Sequence, residues 1–160
     1  MKLWPLAVLG PAVVIGAAVW AFSKNHSSTL PTERYATRAE AEAHGAFAPV
    51  PQGWLPSFIP AGATDLTVAY NPPTHQTWGQ FTAPHEGFAP GNADKVAPTE
   101  MMLLGAPAVV DWWPPFLRGR VASGDLQAQG FRLFFIEKER SPVVVEVRGT
   151  QVYWWRLARQ

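Results

Sequence analysis

Phe131-Arg132-Leu133-Phe134-Phe135-Ile136-Glu137-Lys138, Val143-Val144-Val145-Glu146-Val147-Arg148 and Gln151-Val152-Tyr153-Trp154-Trp155-Arg156-Leu157-Ala158 decide the fold. The three runs are rich in β-branched and aromatic residues and are separated by Glu139-Arg140-Ser141-Pro142 and by Gly149-Thr150. That is the pattern of a three-stranded antiparallel meander. Side chains alternate along a strand, so Val143, Val145 and Val147 share one face while Glu146 and Arg148 lie on the other, which predicts a sheet covered on one side only. The same alternation sends Trp154 and Trp155 to opposite faces. One indole is then exposed, or lies beneath the apolar knot Trp112-Trp113-Pro114-Pro115-Phe116-Leu117.

Upstream, Thr64 to Tyr70 and Thr77 to Thr82 read as two more strands, joined across the breaker Asn71-Pro72-Pro73. Thr37-Arg38-Ala39-Glu40 fits a capping box, in which the Thr hydroxyl and the Glu carboxylate each satisfy an unpaired N–H of a helix's first turn. Arg38 and Glu42 follow as an i,i+4 pair, Ala39 and Ala43 share a face suited to packing on a sheet, and Gly45 is placed to end the helix. Val50 to Pro60 is a Pro-rich loop whose Trp54, Leu55, Phe58 and Ile59 lie on the core. Residues 83–100 form a long irregular excursion, of a kind in which partners often bind, with a short helix around Thr99 to Leu104. The sum is an α+β domain: a small antiparallel sheet of about five strands with one or two short helices.

At the other end, Leu3 to Phe22 contains no charged side chain. A helix rising about 1.5 Å per residue would carry this run across about 30 Å, the thickness of a bilayer core. Trp4 and Trp20 stand where interfacial indoles anchor such a helix, and Pro11 predicts a kink. The competing reading is a cleavable secretory signal, with Lys2 as its positive start and Val19-Trp20-Ala21 at the cleavage site. The run is longer than a signal's apolar core, which favours a retained anchor. The expected organisation is a membrane anchor at 1–22, a linker at 23–33 and an extracytoplasmic domain at 34–160. The expected location is single-pass in a bacterial inner membrane with the body in the periplasm. The chain has no cysteine, which fits either compartment and excludes a lipid-modified cysteine at the N-terminus.

Charge is uneven: residues 30–117 hold three Lys or Arg against eight Asp or Glu, and residues 118–160 hold eight against four. The basic charges alternate with apolar strand residues instead of forming a block, which reads as a solvated sheet face and argues against nucleic acid. Of the four histidines, only His75 and His85 fall together on loops, and no His or Cys spacing offers a tetrahedral zinc site. Ser57, Ser123 and Ser141 lie outside any Gly-x-Ser-x-Gly elbow. No catalytic residue, metal or small-molecule cofactor is therefore expected.

Gly53-Trp54-Leu55-Pro56, Ile59-Pro60, Ala63-Thr64-Asp65-Leu66 and Thr74-x-x-x-Trp78-x-x-Phe81 resemble a pattern shared by a loose group of small exported or membrane-anchored bacterial proteins. Trp54, Pro56, Pro60, Asp65, Thr74, Trp78 and Phe81 carry the resemblance. Pro73 and His75 stand where that pattern has an acid and an amide. The resemblance implies an extracytoplasmic α+β domain and implies no reaction.

The resulting expectation is a membrane-anchored interaction domain that binds the bilayer through residues 3–22 and a protein partner through Trp112, Trp113, Trp154, Arg156 and His85. An immunity or inhibitor protein is one version. A second reading is an accessory subunit of a larger membrane complex, packing through Gly10, Gly16 and Ala17. A third is an envelope hydrolase using His75, His85 or Asp111.

Overall fold

In chain order the elements are β1 (Thr32–Thr37), α1 (Arg38–Ala43), β2 (Thr64–Asn71), β3 (Gln76–Thr82), β4 (Asp94–Lys95), β5 (Leu104–Ala106), β6 (Gly119–Val121), α2 (Ser123–Ala128), β7 (Phe131–Ile136), β8 (Ser141–Glu146) and β9 (Gln151–Arg156). Single 3-10 turns cover Pro115–Leu117 and Glu137–Glu139. This computed structural model describes residues 30–91, 93–96, 104–106 and 110–157. The run Leu3 to Phe22, with Trp4, Pro11 and Trp20, lies outside them, as do most of the linker and the segment around Thr99. Among the described residues no helix is long and apolar enough to cross a membrane.

β1 to β3 make one meander and β7 to β9 another, joined through β3 and β9 into an antiparallel sheet of order β1-β2-β3-β9-β8-β7-β4. β5 and β6 pair separately. The sheet has seven strands where the sequence predicts about five. β1, with the sequence Thr-Glu-Arg-Tyr-Ala-Thr, is largely polar because it lies at the sheet edge, and β4 is two residues long, so neither carries a legible hydrophobic alternation.

The helix start is largely as read. Thr37 Oγ1 accepts from the Glu40 N–H at 3.2 Å, Arg38 Nε donates to Glu42 Oε1 at 2.8 Å, and Gly45 follows the helix at φ +73°. Two details differ. The Glu40 carboxylate takes the N–H of Ala36, at 2.7 Å, which occupies a donor on β1 instead of one in the first helical turn. The buried alanine is Ala41, while Ala39 and Ala43 are exposed. β1 runs straight into α1, and the Arg38 N–H bonds the Ala63 carbonyl at 3.1 Å, so that corner fixes which helix face turns inward.

The sheet is covered on both faces, which corrects the one-sided reading. On the first face Leu66, Val68, Phe81, Val143, Val145, Val152 and Trp154 pack beneath Ala41, Trp54, Leu55 and Ile59. On the second, Ala69, Trp78, Leu133, Val144 and Trp155 pack beneath Trp113, Leu117, Val121 and Leu126. The reason is the long connection between β3 and β7, which folds back over the second face and contributes β6 and α2 to its cover. Both indoles of β9 are consequently buried, Trp154 at 0% exposure and Trp155 at 1%. Trp155 meets Trp113 edge to face, centroids 6.0 Å apart and planes at 90°, so the Trp-rich knot covers it as the second option allowed. Val147 lies past the end of β8 and is 40% exposed.

At the junction of the two meanders Gly79 stands opposite Trp154. A Cβ on Gly79 would sit 2.3 Å from Trp154 Cε2 and Cζ2, so the indole occupies the space a side chain would need. Phe58 closes over the indole edge to face, 6.1 Å between centroids. Further out, Glu33 ties β1 to β2 by accepting from Tyr35 Oη at 2.7 Å and Tyr70 Oη at 3.1 Å.

Two outcomes follow from this packing. Gly79→Ala should lower unfolding free energy by about 3 kcal/mol or more in urea titration, since neither β3 nor a buried indole can yield; an unchanged midpoint would mean the ring lies elsewhere. The three tyrosines, Tyr35, Tyr70 and Tyr153, all hold their protons above the usual 10.0. Burial is the first cause in each, followed by the bond to Glu33 for Tyr35 and Tyr70 and by the charge of Glu146 for Tyr153. A raised folded-state value contributes stability that is present below pH 10.0 and lost as pH climbs past it. Ultraviolet titration of the folded chain should find less than half the phenols ionised at pH 10.0, with unfolding setting in above; half-ionisation there would contradict the tyrosine packing.

Candidate functional site

Four chain segments meet at one end of the sheet: the loop preceding Ser57, the β2–β3 turn, the β7–β8 turn and the tail of β9. The loop is drawn in by its glycine. A Cβ on Gly53 would fall 2.5 Å from the Ala48 backbone N and O, and only its absence lets Trp54 and Leu55 both donate to the Ala46 carbonyl at 2.9 Å. Trp54 then stacks on Tyr70 at 4.4 Å and 8°, and meets His75 edge-on at 6.3 Å. Leu55 is buried in the first-face core, and the chain turns at Pro56 to present Ser57.

From the opposite side, the turn Glu137–Glu139 ends at Arg140, whose φ of +53° places it in the left-handed region. Glu139 Oε1 accepts from the Ser57 N–H at 3.2 Å and from Ser57 Oγ at 2.5 Å. Its other oxygen lies 3.9 Å from Arg156 Nη2. The Leu157 N–H donates to the Arg140 carbonyl at 3.1 Å, fastening the end of β9 to the same turn.

Between these segments lies a cleft of about 390 Å³. Its apolar walls come from Pro49, Val50, Leu55, Pro56 and Leu157. Its polar lining is Ser57, His75, Lys138, Glu139, Arg140 and Arg156. Glu139 and Arg156 offset one another, and Lys138 and Arg140, both exposed, enter no ion pair among the described residues. The cleft therefore carries an excess of positive charge, drawn from the basic section 118–160 of the chain. A larger cleft of about 610 Å³ on the far side of the same turn mixes Arg38 and Lys138 with Asp94, Glu137 and Glu139 and has no such excess.

Ser57 donates its hydroxyl proton to Glu139, so the imidazole that would activate a nucleophile is not its partner. His75 leans on Trp54, while His85 sits exposed with Nδ1 2.9 Å from the Glu86 carbonyl and its ring against Phe88; the two histidines occupy separate surroundings. Asp111 is exposed, and its backbone carbonyl accepts from Arg118 at 3.4 Å. Among the described residues no three His, Asp or Glu gather to hold a metal ion.

Of the residues expected at a partner surface, only Arg156 lines the cleft. Trp113 and Trp154 are core residues, 1% and 0% exposed, and offer a partner nothing. Trp112 is half-buried beside Trp113, its buried indole N–H without an acceptor among the described residues. His85 lies on the excursion after β3.

The motif residues have structural work. Trp78 and Phe81 fill opposite faces of the sheet. Asp65 stands at φ +53° in the bulge between Thr64 and Thr67, and Thr74 Oγ1 braces the β2–β3 turn against Gln76 at 3.1 Å. Pro56 and Pro60 line the two clefts. Lys138, Glu139 and Arg140 stand in no motif, and Ser57 is read in the sequence only as a serine outside a nucleophile elbow; the signal available was the cation-acid alternation from Glu137 to Arg140 beside a loop already marked as lying on the core.

No curated protein and no solved structure matches the chain. Residues 31–82, about a third of the chain, match the family model described as the YbbD head domain. The matched segment supplies β1, α1, the Gly53–Pro56 loop, β2 and β3, so one wall of the cationic cleft, and the β2–β3 turn beside it, belong to the part of this chain that is similar to the YbbD head domain.

Proposed function

We propose that this chain is a non-catalytic binding domain, tethered to a bacterial inner membrane by residues 3–22 and displayed in the periplasm, which holds a protein partner in the cleft between the Gly53–Ser57 loop and the Lys138–Arg140 turn. One observation carries the reading: a concave site with apolar walls gathers three cations against a single carboxylate that is already hydrogen-bonded to Ser57. Such a surface recognises and does not react. The uncharged run from Leu3 to Phe22 supports the tether. An immunity or inhibitor protein needs a recognition surface of this kind and no chemistry.

The test is site-specific photocrosslinking in native membranes. A photoreactive residue at Pro49 or Leu157, on either side of the cleft, should yield a discrete adduct with a second protein. The same residue at Gln127, exposed on α2 and away from the cleft lining, should not. Equal adducts from all three positions, or none from the cleft, would overturn the proposal.

A further inference from the structure

The charge arrangement in the cleft specifies its ligand more narrowly, and this inference rests on the proposal that a partner occupies it. We infer that the group recognised there is a side-chain or terminal carboxylate of an acidic peptide segment, held by Arg140 and Lys138, with an adjoining apolar side chain against Pro49, Val50 and Leu55.

Three features lead to this class. Arg156 lies beside Glu139 across an ion pair of 3.9 Å, and that carboxylate is fixed by two bonds from Ser57, so the pair is internal and the excess charge resides on Lys138 and Arg140. An exposed ammonium and guanidinium on one turn are suited to a carboxylate, to which charge-assisted hydrogen bonds are short and strong. The fixed negative charge of Glu139 within the same lining repels a dianion such as phosphate more than a monoanion. The third feature is shape. The cations border a cavity with apolar walls instead of a flat patch, which admits a side chain and backbone but matches a membrane surface poorly.

The anchoring of Ser57 to Glu139 makes the site depend on both halves of the chain. Ser57 lies in the segment similar to the YbbD head domain and Glu139 lies outside it, so this lining is assembled only when β3 and β9 are joined.

Binding of a fluorescent acetyl-Leu-Glu-Glu-Leu-amide peptide to the full chain in mild detergent provides the test. Saturable binding is expected, falling as salt rises from about 0.05 to about 0.5 M. Replacing the glutamates of the peptide by glutamine should weaken it about tenfold or more, as should Arg140→Glu or Lys138→Glu in the protein with its thermal midpoint unchanged. Equal binding of the glutamine peptide, or indifference to both charge reversals, would overturn the inference. So would competition by inorganic phosphate, or by anionic phosphatidylglycerol vesicles, that is stronger than competition by unlabelled peptide. If Pro49 and Leu157 still crosslink a partner while the acidic peptide fails to bind, the cleft remains an interaction site and only its carboxylate specificity falls.

Discussion

The indole of Trp154 lying across Gly79 is the contact on which the architecture depends. It sits at the pairing of β3 with β9, where two meanders distant in sequence become one sheet, and any side chain larger than hydrogen at residue 79 would force those strands apart. The ring fills the space over Gly79 and meets Phe58 edge to face, and the loop that carries Phe58 also carries Trp54, Leu55 and Ser57. The position of the cleft wall is thus traceable to one cross-strand pair. Ser57 meets Glu139 because the strands beneath them are in register, not because either residue is near the other in the chain.

Covering the second face has a different origin. Trp155, Val144, Leu133 and Trp78 present an apolar surface that antiparallel sheets of this size sometimes leave to solvent. Here the connection from β3 to β7 is long enough to return across it, bringing the Trp113 knot and α2. The indole of Trp113 donates to the Leu117 carbonyl at 3.1 Å, so the knot is closed on itself and packs as a unit. With both faces occupied, the ends of the sheet and its loops become the places where chemistry or recognition can be staged, and the end formed by the β2–β3 and β7–β8 turns is where the cations collect.

Much of this was legible in the sequence where local physics decides. Thr37 as a helix cap, the meander from Phe131 onward, the strands around Thr67 and Trp78, and the core-facing loop at Trp54 each follow from capping, alternation or composition within a few residues. What escaped depended on distant partners. β1 carries Glu33 and Arg34 and reveals itself as a strand only by pairing with β2. α2 begins at Ser123 without a side-chain cap and is six residues long, too short for a helical period to emerge. The one-sided sheet was a sound inference from Glu146 and Arg148, but those residues fall at and beyond the end of β8, past the part of the strand that the second layer covers. Of the candidate site, the sequence marked Arg156 and His75; its other charges sit in a turn whose neighbour, Ser57, is supplied from across the sheet.

The cleft is lined from both halves of the chain and rests on a sheet packed on both faces, so the proposed partner site would carry the general advantage of preorganised sites. The cleft stands or falls with the junction of β3 and β9 that assembles it. Proton NMR of the folded chain tests that junction directly: the α-protons of Gly79 should resonate well upfield of their usual position under the ring current of Trp154 and show cross-peaks to its indole protons. Gly79 α-protons at ordinary shifts, with no cross-peak to Trp154, would contradict the pairing of β3 with β9 and with it the cleft.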